Sequence, residues 1–131
     1  MAMLRTIRVL WLAALLPVSV QATTPRDLLA GWQREAGGGF SAQRGRALFS
    51  DASRSDWSCA TCHTADPRRD GRHVTTSKSI APLAPGANPA RFTDPAKVEK
   101  WFRRNCRDVL RRECTAMEKG DVLTWLLEQR P

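Results

Sequence analysis

The sequence predicts an all-α domain, and three observations carry that prediction. Apolar residues recur at three- and four-residue steps in "TDPAKVEKWFRRNCRDVLRREC" and again in the last segment. Helix-start signals stand directly ahead of each such segment. No stretch alternates apolar and polar residues as a half-buried strand would, and no segment repeats another.

The chain has 131 residues, a length that favours one domain. Its first stretch, "MAMLRTIRVLWLAALLPVSVQA", has Arg5 and Arg8, an apolar run from Val9 to Leu16, and Val20, Gln21 and Ala22 at its end. That layout is a secretory signal peptide, with an apolar core too short to span a bilayer. Cleavage after Ala22 is expected, leaving residues 23–131 as the mature domain with no stable membrane insertion.

Thr24 and Pro25 cap and open a first helix, "PRDLLAGWQREA", with Leu28, Leu29 and Trp32 on one side and "GGG" as its terminator. Ser41 caps a second, "AQRGRALFSD", in which Gly45 and Phe49 lie one turn apart and face the same way. From Ser50 to Phe92 no period is sustained, and Pro67, Gly71, Pro82, Pro85, Gly86 and Pro89 punctuate a long loop. So long a loop in a small domain generally has a function. Asp94 and Pro95 then open a helix whose buried face is Val98, Trp101, Phe102, Val109 and Leu110. Thr115 and Glu118 have capping-box spacing for a final helix through Val122, Leu123, Trp125, Leu126 and Leu127.

The formal charge is +8, and it falls to +6 without Arg5 and Arg8. Such a surface favours acidic partners, and export argues against nucleic acid as one of them. All four cysteines, Cys59, Cys62, Cys106 and Cys114, lie in the mature part, in a periplasmic or extracellular setting that permits disulfides. A domain of this size is marginal for a self-sufficient core, so a bound cofactor would supply apolar contact.

"CATCH", residues 59 to 63, has the C-x-x-C-H spacing of covalent haem attachment. Two thiols three positions apart reach the two vinyl groups of one haem, and the adjacent His63 is carried under the iron as its axial ligand. A thioredoxin-like pair would follow a strand, which is missing here. A zinc ribbon would need a second close pair, whereas Cys106 and Cys114 are eight apart. One haem c is therefore expected on Cys59, Cys62 and His63.

This order of parts resembles a class I cytochrome c: a helix with Gly45 and Phe49, then C-x-x-C-H, a long haem-wrapping loop, and a last helix with Trp125. The resemblance implies that Gly45, Phe49 and Trp125 form a helix crossing. "APLAP" resembles the Pro-Leu segment of small c-type cytochromes, which implies that the Pro82 carbonyl takes the His63 Nδ1 proton.

Three residues compete for the opposite face of the iron. Met117 is the methionine of the mature chain, but it falls in the first turn of the last helix. His73 sits among polar loop residues. Asn105 lies within the apolar arc of its helix at about 100° per residue, where a buried amide must find a partner. Iron is one such partner; backbone or a haem propionate is another. Trp101, Phe102 and Val98 would line the remaining wall. The spare pair Cys106 and Cys114 is most simply a disulfide in an exported protein.

The stretches "SCATCHTADPR", "GRH", "IAPLAPGANPARFTDPAKVEKWFRRNC" and "REC" further resemble the sphaeroides haem protein group of c-type cytochromes, also described as a domain of unknown function. That resemblance implies an asparagine sixth ligand in ferric haem, released on reduction, beside a disulfide. Those roles fall on Asn105 and on Cys106 with Cys114. The implied function is one-electron transfer with ferrous haem open to dioxygen or nitric oxide. Two other functions stand beside it: a haem oxidoreductase acting on oxygen, nitric oxide or peroxide, and a plain Met117-ligated carrier. The implied partner is a redox protein, a periplasmic dihaem or membrane b-type cytochrome.

Overall fold

A computed structural model describes residues 22–131, so the proposed signal segment lies outside the described residues apart from Ala22. Five helices and one two-residue hairpin follow in the order α1 (Pro25–Ala36), α2 (Ala42–Ser50), α3 (Cys59–His63), β1 (Gly71–Arg72), β2 (Ser79–Ile80), α4 (Pro95–Leu110) and α5 (Ala116–Glu128).

Caps set the helix starts. Thr24 accepts from the Asp27 amide while the Asp27 carboxylate accepts from the Thr24 amide, a reciprocal pair that fixes the first turn of α1. Ser41 accepts from Arg44 and opens α2; Asp94 accepts from Lys97 and opens α4, with Pro95 first in the helix. Thr115 and Glu118 form the capping box of α5. Gly37, at φ 67°, ends α1 in the left-handed region. Arg111 takes the same conformation at the end of α4, at φ 60°, without being glycine.

The core lies where α1 and α2 pack on α5. Leu28 and Trp32 of α1, Phe49 of α2, and Val122, Leu123, Trp125 and Leu126 of α5 are buried together. A Cβ at Gly45 would collide with the Asp121 carbonyl, so α2 and α5 cross backbone to backbone at that residue. One turn on, Phe49 meets Trp125. The expected Gly45, Phe49 and Trp125 crossing is thus present. Asp121, 3% exposed, lies beside this crossing; its carboxylate accepts from the Ser41 amide and from Arg44 Nε and Nη2, so the buried charge is paired and hydrogen-bonded.

Two expectations about the chain are corrected. The long loop contains α3 and a hairpin, in which Gly71 pairs with Ile80 and Arg72 with Ser79. Two residues per strand are too few for alternation to show in a sequence. In α4, Trp101 is not buried but 43% exposed, stacked under the Arg104 guanidinium at 5.6 Å. The protein-facing stripe is Phe102, Cys106, Val109 and Leu110, with the Phe102 ring edge-on to Trp32 at 5.6 Å.

Candidate haem site

Helix α3 is a single turn that carries Cys59, Cys62 and His63. The Ser58 amide donates to Thr61 Oγ1 at 2.9 Å and closes its start. It ends abruptly: Thr64, directly after His63, has φ 63° and ψ 164°, a conformation normally left to glycine. Strain of about 1–3 kcal/mol at that point is the kind of feature that gathers at functional sites. The turn rests on Gly71, whose Cβ position would overlap the Cys62 carbonyl and stand 3.1 Å from the His63 Cα. Gly71 therefore belongs to the site, where the sequence shows only loop punctuation.

His63 lies with its ring centroid 6.4 Å from that of Phe49. Burial, and after it the charge of Arg91, pushes its pKa down to about 4, so at neutral pH the imidazole is uncharged and offers a lone pair. Cys59 and Cys62 are both partly buried and take part in no disulfide among the described residues. Cys106 and Cys114 form a disulfide with Cα atoms 5.6 Å apart, which removes them as partners of Cys59 and Cys62 in a zinc site.

The structure distributes the other expected site residues unevenly. Cys59 packs in the small cluster of Cys106, Val109 and Leu110, together with Phe102, so the C-terminal half of α4 lies beside the Cys59–His63 turn. Asn105, next to Cys106, is half-buried, and no group among the described residues hydrogen-bonds its side chain. On the helix it lies about 40° from the exposed Trp101 and 20° from Val98, which packs against the core, so it stands at the edge of the covered face. The Met117 sulfur accepts from Arg44 Nη2 at 3.3 Å, and its methyl carbon lies beside Gly38 between α1 and α2. His73 Nδ1 accepts from the Thr76 amide inside the hairpin turn.

Pro82 is held by two loop side chains. Its carbonyl accepts from Arg91 Nε at 2.9 Å and from Asn88 Nδ2 at 3.2 Å, and no hydrogen bond from His63 reaches it among the described residues. Both lone pairs of the carbonyl are thereby used. Arg91 also donates from Nη2 to the Ala81 carbonyl at 2.6 Å. Its part in the site had no signal in the sequence, since it lies nine positions after Pro82 in a loop without a period.

These residues fit a covalent haem. Two thiols and a neutral imidazole share one turn, a glycine lies hard against that turn, and the adjacent helix presents an amide without a protein partner beside an open tryptophan. Together with the Gly45–Phe49 and Trp125 crossing they define the class: a c-type cytochrome with a class I-like fold, its cofactor haem c.

Residues 35–126 match the family described as a domain of unknown function, DUF1924. The chain is 49% identical to the cytochrome c-type protein SHP of Cereibacter sphaeroides over 128 residues, covering 93% of this chain and 98% of that protein. It belongs to the DUF1924 family of c-type cytochromes, with SHP as a relative. The structure of oxidised SHP, an oxygen-binding cytochrome c, superposes with a TM-score of 0.74 at 49% identity, over 83% of this chain and all of that one. Oxidised cytochrome c'' of Methylophilus methylotrophus superposes at 0.72 with 32% identity, over 79% of this chain and 92% of that one. A solution structure of the same cytochrome, which addresses the structural basis of haem-ligand detachment, gives 0.72 at 31% identity, over 82% of this chain and 95% of that one.

Proposed function

We propose that the protein is an exported one-electron carrier whose sixth ligand, Asn105, is held in the ferric state and released on reduction, leaving room for a small diatomic gas. Haem c, held by Cys59, Cys62 and His63, supplies the electron chemistry and the coordination position that Asn105 fills. The observation that carries the reading is Asn105, a half-buried residue whose amide has no protein hydrogen bond and opens outward, on the helix that packs against Cys59. An amide oxygen is a hard, weak donor that favours Fe(III) over Fe(II), so an added electron weakens its hold. Methionine sulfur is soft and would stay bound in both states, and Met117 is already engaged by Arg44.

The relatives support this reading in two ways: SHP is described as an oxygen-binding cytochrome c, and cytochrome c'' in terms of haem-ligand detachment. Val98, Trp101 and Phe102 form the wall next to Asn105. The mature domain is residues 23–131, released into the periplasm by removal of residues 1–22. No helix among the described residues is long and apolar enough to cross a membrane. The redox partner presents an acidic face to the basic surface, so association slows as salt is added.

The test is an absorption spectrum of the haem-loaded protein, oxidised and then reduced without oxygen, before and after carbon monoxide or nitric oxide. Conversion from six-coordinate low-spin to five-coordinate high-spin on reduction, followed by gas binding, is the expected result. Low-spin iron in both states with no gas response would refute the proposal.

A further inference from the structure

We propose that the solvent face of α4 is the docking surface for the redox partner: Lys97, Lys100, Arg104 and Arg107 form a cationic stripe that receives an acidic protein face, and Trp101 joins the stripe to the haem pocket. The inference rests on the electron-carrier reading and adds to it where the partner binds. It does not depend on which side chain fills the sixth position.

At about 100° per residue the four cations fall within an arc of about 80° on α4. All four are exposed, and the exposed Arg103 adds a fifth positive charge about 40° beyond them. Lys97, Lys100, Arg103 and Arg104 enter no ion pair among the described residues, while Arg107 meets Glu113. The helix carries two acids, and Glu99 is engaged by Trp32 and Lys119, which leaves Asp108 as the exposed acid of this face. Helix chemistry does not account for the pattern. Lys97 and Lys100, Lys100 and Arg104, and Arg104 and Arg107 stand three or four positions apart, where like charges repel. Lys97 lies in the first turn, where the helix dipole favours an acid, and only Arg107, in the last turn, suits it.

The stripe ends beside the site. The Arg104 guanidinium stacks over Trp101 at 5.6 Å, and Trp101 is about 40° from Asn105 on the same helix. A partner seated on the cations therefore stands one side chain from the haem pocket. A protein face fits better than a lipid surface, because Phe102, Cys106, Val109 and Leu110 pack inward and leave α4 no apolar stripe to enter a bilayer.

The test is the rate at which flavodoxin hydroquinone, a strongly acidic electron donor, reduces the haem-loaded ferric protein, followed by stopped flow at low and high salt. Lys97→Glu with Lys100→Glu reverses two charges of the stripe, and Arg26→Glu with Arg34→Glu reverses two exposed charges on α1. Both double variants change the net charge equally, so the comparison isolates position. At low salt the α4 variant should be slower than the wild type by about tenfold or more and the α1 variant should stay close to it, with all three converging at high salt. Equal slowing of both variants, or none in the α4 variant, overturns the proposal. So does wild-type binding to phosphatidylglycerol vesicles that is lost in the α4 variant while its rate with flavodoxin is unchanged, a result that assigns the stripe to lipid. A wild type that dithionite reduces but that exchanges no electron with flavodoxin at any salt removes the carrier reading as well, an outcome distinct from equal slowing.

Discussion

The Phe49 ring packs against Trp125 with centroids 4.8 Å apart and planes inclined by 51°. Phe49 also lies next to His63, so this one pair joins the helical core to the haem-bearing turn. Trp125→Ala should cost about 3–5 kcal/mol, the usual effect of removing a large buried ring. Denaturant unfolding of the haem-loaded protein checks this, with the midpoint expected to fall. An unchanged midpoint would mean that haem attachment alone holds the helices together.

Gly45 and Gly71 are both places where a single methyl group has no room, but the consequences should differ. Gly45→Ala forces α2 away from the Asp121 carbonyl and should lower stability by about 1–3 kcal/mol. Gly71→Ala presses on the Cys62 carbonyl and should reduce the fraction of chains with covalent haem. Intact mass measurement after co-expression with a haem-attachment system distinguishes the two.

Cys106 and Cys114 close a loop at the end of α4, directly after Asn105. Replacing both with serine should cost roughly 2.5 kcal/mol by loop entropy. The same variant should show a broadened ferric spectrum if the bond also limits where Asn105 can sit. Thermal unfolding and electron paramagnetic resonance of the ferric form measure these two effects separately.

Glu118 accepts two bonds from Arg112 and one from the Thr115 amide, and chiefly the Arg112 bond holds its carboxyl below the usual glutamate value. A depressed carboxylate contributes stability that is fully present above the unfolded value of about 4.3 and is lost as pH falls through the lower native value. Stability of the wild type should therefore decline in that acid range. Glu118→Gln should be less stable at pH 7 and show a shallower decline, measured by thermal unfolding from pH 7 down to pH 3.

The four long helices were legible because each rests on local chemistry: caps at Thr24, Ser41, Asp94 and Thr115, and periodic apolar residues behind them. The Cys59–His63 turn was legible because attachment chemistry fixes its spacing. Periodicity places Trp101 on the apolar arc but does not tell whether protein or cofactor covers it; the protein core reaches Phe102 and stops. Arg91 and Gly71 were invisible for a different reason. Their roles arise from non-local approaches within an aperiodic loop, to the Pro82 and Cys62 carbonyls, which no spacing rule encodes.

The most direct test of the account is the ferric spectrum of Asn105→Ala. The account predicts loss of the low-spin six-coordinate signature in favour of open or water-bound high-spin iron, while the ferrous spectrum and gas binding stay close to wild type. A low-spin ferric spectrum identical to wild type would contradict it and assign the sixth position to another side chain.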